Sequence, residues 1–158
     1  VYQKFMKEKD KRTDYTKMIA YATKDSIVPS TYHVTYHINK NAKNTNFMKM
    51  LKKTNTESII IHRKANMKGN FEILEMSKER EEKICQYVGM PIKTNNNNVI
   101  CVLQVDVSEE KILGNNYKDV KFFADNILKP FSSILYNAYE RDCVINTLYD
   151  AWTNSTNS

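Results

Sequence analysis

The clearest alternation of apolar and polar positions along the chain lies at residues 99–107. The odd positions are all apolar, whereas the even positions begin with Ile100 and Val102 and end with Gln104 and Asp106. Alternate side chains of a strand point to opposite faces of its sheet. A strand that is apolar on both faces over its first half is typical of the covered centre of a sheet. We therefore predict a central strand whose second face becomes polar at Gln104 and Asp106.

The same kind of pattern predicts four more strands. Residues 83–93 form an apolar arm that is joined to 99–107 by a run of four asparagines, which predicts an antiparallel hairpin with an exposed loop. Alternation of β-branched and aromatic residues predicts the other strands at 30–39, 57–64 and 70–77, the last two as a hairpin.

Apolar residues that recur every three or four positions predict helices elsewhere. This spacing occurs over residues 2–12, from residue 13 to Pro29, in a short turn at 47–51, and over 120–150. Pro130 lies inside the last of these helices and is expected to kink or split it at Lys129. Strands bracketed by helices predict an α+β fold, in which a central antiparallel sheet of five or six strands is flanked by helices.

The amino-acid composition limits which classes of protein this chain can belong to. The chain has 158 residues, of which 41% are hydrophobic and 27% charged, as in a globular domain, and no apolar run is long enough to span a membrane. The net charge of +6 is modest and the basic runs contain acids, so a nucleic-acid partner is not expected. Three cysteines without metal-binding spacing indicate a reducing compartment, the cytoplasm. Because the chain begins without Met, we expect it to be part of a longer protein.

Two segments are similar to a known family. The sequences MPIK (90–93) and VICVLQ (99–104), with the polar loop between them, resemble the closing hairpin of a GAF domain, a small-molecule-sensing module of signalling proteins. Residues 119–142 resemble the last helix of that family. The resemblance implies a GAF-like domain at 13–150, preceded by a helix or linker at 1–12 and followed by a disordered tail at 151–158.

The resemblance implies a non-catalytic regulatory domain that binds a small molecule or a partner and passes the signal to neighbouring domains through its terminal helices. Members that bind cyclic nucleotides carry an Asn-Lys pair after the central strand, where this chain has Asp106 and Val107. That difference argues against a cyclic nucleotide and leaves the ligand unknown. Two alternatives stay open: a ligand-free dimerisation or scaffold domain, and a cysteine-dependent reductase of free methionine sulfoxide, which is a GAF-fold enzyme.

The candidate ligand-binding residues follow from the hairpin. Gln104 and Asp106 can exchange hydrogen bonds with a ligand at the open face of the sheet, and Tyr87 and Tyr36 can line the same cavity. As buried core aromatics, the two tyrosines need no such role.

The terminal helices supply the candidate dimer contacts. A homodimer is expected through Phe5 in the first helix and Leu135 and Tyr139 in the last one. No metal site is expected, because His33 and His37 on one strand lie about 13 Å apart, too far to share one ion.

Overall fold

The computed structural model describes residues 2–5, 14–24, 32, 34–38, 46–52, 57–66 and 82–156. The predicted strand at 70–77 lies outside these residues. The strands are β1 (Tyr2–Phe5), β2 (Asp14–Met18), β3 (Thr35–Ile38), β4 (Ile59–Ile61), β5 (Gln86–Lys93) and β6 (Val99–Val107). The helices are α1 (Asn46–Lys52), α2 (Tyr117–Phe123) and α3 (Lys129–Thr156). The predicted α+β class is confirmed.

The strands pair antiparallel in the order β3-β2-β1-β6-β5-β4. The hairpin of β5 and β6 is the longest pairing, whereas β1 and β6 share only Tyr2 with Val102 and Gln3 with Cys101. The sheet therefore consists of two three-stranded parts with a narrow junction. Because β6 lies between β1 and β5, its predicted place in the interior of the sheet is confirmed.

The two helices predicted at the start of the chain are wrong where the structure describes it. Residues 2–5 and 14–18 form β1 and β2 instead, which pair with each other from Tyr2 opposite Met18 to Phe5 opposite Tyr15. The apolar residues here have helical spacing, but β6 needs a hydrogen-bonding neighbour on the side away from β5. Pairing with β1 satisfies part of that edge, so tertiary context overrides the local pattern.

The hairpin loop between β5 and β6 is exposed, as predicted. The backbone N–H of Thr94 donates to the Asn98 carbonyl at 2.9 Å, and the N–H of Asn97 donates to the Thr94 carbonyl at 2.9 Å. Asn97 has φ 61°, a left-handed conformation that asparagine tolerates better than most residues. The asparagine run thus closes a tight turn.

A β-bulge at the start of β6 changes which residues share a face. Ile92 pairs with Cys101, but Lys93 pairs with Val99, so Ile100 is an extra residue. Val99 therefore packs in the same cluster as Val102, and Ile100 packs in the same cluster as Cys101. The prediction that all odd positions of residues 99–107 share one face is wrong at Val99.

Helices cover both faces of the sheet. The face that carries Tyr87 and Val102 packs against α1, and we call it the α1 face. The core residues that α1 contributes are Phe47, Met48, Met50 and Leu51. The opposite face, with Val88 and Met90, packs against Val120 of α2 and against Ala124 and Leu128, which lie between α2 and α3.

Helix α2 begins with a side-chain cap. The carboxamide oxygen of Asn116 accepts from the N–H groups of Lys118 at 2.8 Å and Asp119 at 3.2 Å. A π-helical stretch, Ala124–Leu128, separates α2 from α3 and ends two residues before Pro130. Proline lacks an N–H and crowds the preceding turn, so a widened turn lets the helix continue. The irregularity therefore lies at 124–128, and the helix is not split at the predicted residue, Lys129.

Candidate functional site

All four predicted ligand residues lie on the α1 face, because Tyr36 packs against the same core cluster as Tyr87. Gln104 pairs with Gly89 and Asp106 pairs with Tyr87, and residues that pair directly in an antiparallel sheet lie on the same side. Tyr36 is in β3, three strands from β6 and thus about 14 Å across the sheet. The sheet therefore brings Gln104, Asp106 and Tyr87 together and holds Tyr36 apart from Gln104.

Protein side chains fill the space beside Gln104. Tyr87 and Met50 are completely buried, and both lie over Gly89, the residue opposite Gln104. A methyl group added to Gly89 would lie 2.6 Å from Cε of Met50 and 3.0 Å from Cζ of Tyr87. Gly89 is therefore a point of close approach between the sheet and its cover, not the floor of an open cavity.

Gln86 has a connecting role that the sequence pattern did not indicate. It is 1% exposed, and its Nε2 donates to the carbonyl of His62 at 3.2 Å and to that of Gly114 at 2.8 Å. Its Oε1 accepts from the N–H of Leu113 at 2.8 Å. One side chain thus joins β5 to the end of β4 and to the loop before α2. A lone glutamine in an apolar arm gives no local sign of this.

The largest exposed apolar surface in the described part of α3 is a stripe along one side of the helix. Its positions alternate by three and four residues over three heptads, and all of its apolar members except Ala138 are between 54% and 64% exposed. We call this set the C-terminal stripe: Phe131, Ile134, Ala138, Arg141, Ile145, Leu148 and Trp152. Every residue from 140 to 152 is exposed, so this half of α3 is not covered by the sheet.

The predicted dimer residues lie elsewhere. Leu135 and Tyr139 are half-buried and pack against Ile92, Ile100 and Cys101 of their own sheet. Phe5 is the last residue of strand β1, so its predicted place in a terminal helix is wrong. The neighbouring side of α3, which carries the C-terminal stripe, is exposed and remains available for contact with a partner.

A cavity of about 290 Å³ lies between the sheet and α3. Its wall has an apolar part, with Ile19 and Leu135, and a part with polar groups and thiols. The second part comprises Cys101, Tyr139, Asp142, Cys143 and Asn146. This cavity contains none of the four predicted ligand residues. It has the size of a small ligand site, and most of its wall belongs to α3.

Two groups beside this cavity, the thiol of Cys101 and the phenol of Tyr139, have raised pKa values. Cys101 is buried, and burial raises the pKa of its thiol from 9.0 to about 11. A hydrogen bond with the Cys143 side chain raises the pKa of Tyr139, and burial adds to that effect. Because the thiolate is the reactive form of cysteine, Cys101 is held in its unreactive form at neutral pH.

No protein-family model matches the chain, and no curated protein matches its sequence. Among the described residues, no three His, Cys, Asp or Glu side chains cluster in a way that could hold a metal ion. His33 lies outside those residues, and His37 is exposed on β3. Within the same part of the chain, no helix is both long and apolar enough to cross a bilayer.

Proposed function

We propose that this chain is a non-catalytic, GAF-like regulatory domain of a larger signalling protein, and that it forms a homodimer through the C-terminal stripe. The observation that carries the proposal is the exposed apolar surface of α3 beyond the sheet. A helix of 28 residues with its apolar stripe in water is unfavourable, and pairing with a second such helix removes that cost.

The size of the surface supports a stable dimer. The stripe, together with the exposed neighbours Val144 and Tyr149, offers seven exposed apolar side chains over about 32 Å of helix. At roughly 100 Å² each they amount to on the order of 700 Å², close to what each partner of a standard interface buries. The three-four spacing is that of a coiled-coil seam, which a second copy of the same helix fits.

The filled α1 face favours the ligand-free form of this function. Tyr87 and Met50 occupy the place beside Gln104 where a sensed molecule would bind. The high pKa of Cys101 argues against a thiol-based reductase. In this proposal the domain works in the cytoplasm, where reducing conditions keep Cys85, Cys101 and Cys143 as free thiols.

A small-molecule sensor is the second candidate, and the cavity between the sheet and α3 favours it. A ligand there would contact Cys101 of β6 and Tyr139 of the dimer helix together. It would alter the dimer only by its difference in affinity for two arrangements of α3. Retention of a small molecule through native mass spectrometry, lost when Asn146 of the cavity wall is replaced by Phe, would favour this candidate over the ligand-free form.

Sedimentation velocity over a range of protein concentrations tests the proposed dimer. We expect a monomer–dimer equilibrium, and we expect Ile145→Ser to raise its Kd about tenfold or more because a seam side chain is lost. Ile112→Ser is the matched control, since Ile112 is 57% exposed and Ile145 is 54% exposed, but Ile112 lies outside the stripe. A wild-type chain that stays monomeric at all concentrations would refute the proposal.

A further inference from the structure

The C-terminal stripe contains one charged residue, Arg141. Its side chain is 74% exposed, and its Nε lies 4.0 Å from Oδ1 of the neighbouring Asp142, whose side chain is 68% exposed. This distance is at the outer limit of an ion pair, and a guanidinium has five N–H donors to satisfy. Arg141 is therefore poorly matched among the described residues of its own chain, although it lies in the middle of an apolar seam.

Heptad positions define what surrounds Arg141 in a dimer. The a positions of the stripe are Phe131, Ala138, Ile145 and Trp152, and the d positions are Ile134, Arg141 and Leu148. Asp142 follows directly at position e. In a parallel two-stranded coiled coil a d side chain enters a hole whose border includes the e residue of the other helix. A parallel pair in register thus places the two Arg141 side chains in one layer, each beside Asp142 of the other copy, so that two carboxylates balance the two guanidinium charges.

We propose that two copies of this chain pair in parallel and in register through the C-terminal stripe, with reciprocal ion pairs between Arg141 of one copy and Asp142 of the other. This inference rests on the proposed dimer and names its geometry. The two ion pairs are related by the dimer axis, so each guanidinium gains a carboxylate partner at the seam.

Other arrangements of the same stripe lack this match. A shift by one heptad places Arg141 opposite Ile134 or Leu148, which leaves a charge against hydrocarbon. An antiparallel pair with matched apolar layers places Arg141 opposite Ala138, about one helical turn from Asp142 of the second copy. The residues after Arg141 also favour the parallel pair, because Ile145 at a and Leu148 at d are the combination preferred in parallel two-stranded coiled coils.

The flanking positions agree with the same arrangement. Val144 is at position g and Tyr149 is at position e of the next heptad, and both are about 60% exposed. In a parallel pair, g of one helix faces that e position of the other. Val144 and Tyr149 therefore cover Ile145 and Leu148 from both sides, and the apolar surface widens where α3 leaves the sheet.

Charge reversal tests the ion pairs between copies. Arg141→Glu places a second carboxylate beside Asp142 of the other copy, and Asp142→Lys brings two cations together, so each variant alone should raise the dimer Kd about tenfold. An equimolar mixture of the two variants restores opposite charges at one contact in a swapped order and removes the like-charge pairs of either homodimer. We expect it to form a heterodimer with a Kd within about threefold of the wild type, measured by sedimentation and identified by native mass spectrometry.

Asp150→Lys is the control, because Asp150 is exposed at position f on the far side of the seam and its reversal should leave Kd unchanged. Circular dichroism of each variant checks that the helix is intact. If the wild type dimerises but the mixture does not recover, the parallel in-register pairing is wrong and the proposed dimer stands. If the wild type does not dimerise, both proposals fail.

Discussion

The carboxamide of Gln86 donates a 2.8 Å hydrogen bond to the carbonyl of Gly114. This bond joins the buried strand β5 to the loop that leads into α2. Gly114 has φ 148°, and a Cβ there would lie 2.8 Å from the backbone N of Val120. The start of α2 is thus positioned by Gln86, which lies 28 residues before Gly114 in the chain. Gly114 also contributes, because it has no Cβ and the loop can pass close to the helix.

Replacing Gln86 should cost much more stability than its polarity alone suggests. Gln86→Leu leaves the buried N–H of Leu113 and the partly buried carbonyl of Gly114 without their partner. We expect the free energy of unfolding, measured by urea titration with circular dichroism, to fall by about 3 kcal/mol.

Gln104 is the matched control for that change. Its Nε2 is buried and has no hydrogen-bond partner among the described residues, so Gln104→Leu removes no bond that this part of the structure contains. We expect that variant to be neutral or slightly stabilising. Equal losses for the two glutamines would contradict the role assigned to Gln86.

Gly89 should resist even the smallest side chain. The methyl group of Gly89→Ala would meet Tyr87 and Cε of Met50, so we expect a loss of about 2 kcal/mol in unfolding free energy. Met50→Leu removes the terminal methyl group at that contact and is a volume-conserving change. In a double-mutant cycle, Gly89→Ala should cost clearly less in the Met50→Leu background. Strict additivity would show that Met50 does not contact this position.

Cys101 should make stability sensitive to alkaline pH. Its folded pKa of about 11 is raised by burial above the unfolded value near 9.0. The stabilising effect of keeping the thiol protonated is therefore complete below about pH 9 and is lost as pH rises from about 9 to about 11. The loss should be about 2–3 kcal/mol in unfolding free energy over that window.

Cys101→Ala isolates this effect from every other contribution to stability at alkaline pH. The variant should be less stable than the wild type at about pH 8 because a buried thiol is lost. The difference between the two proteins should shrink as pH approaches about 11. A difference that stays constant over this range would mean that the thiol is not shielded from water.

Local patterns correctly predicted the elements whose own residues carry the decisive information. The hairpin of β5 and β6 has long apolar arms and a loop that asparagine can close, and α1 has apolar residues at helical spacing. The last helix was also predicted, although its irregular stretch at 124–128 precedes the predicted split at Lys129. The division of the chain into a linker, a domain and a tail stays a prediction.

The candidate sites were harder to predict because they depend on packing between distant segments. The sequence placed Gln104, Asp106 and Tyr87 on one face, yet not the Met50 that fills the space over Gly89. It marked the apolar residues of the last helix without indicating which side the sheet covers. Leu135 and Tyr139 therefore looked available, whereas the structure shows that the exposed side is the neighbouring C-terminal stripe.

Sequence alone determined the α+β class and the central position of β6, because alternation and apolarity on both faces are properties of the strand itself. Only the tertiary structure decided that residues 2–5 and 14–18 are strands, since their apolar spacing suits a helix and pairing with the rest of the sheet overrides it. The tertiary structure also decided that Ile100 forms a bulge and which side of α3 is exposed. Both follow from contacts between residues far apart in the chain, which no local pattern encodes.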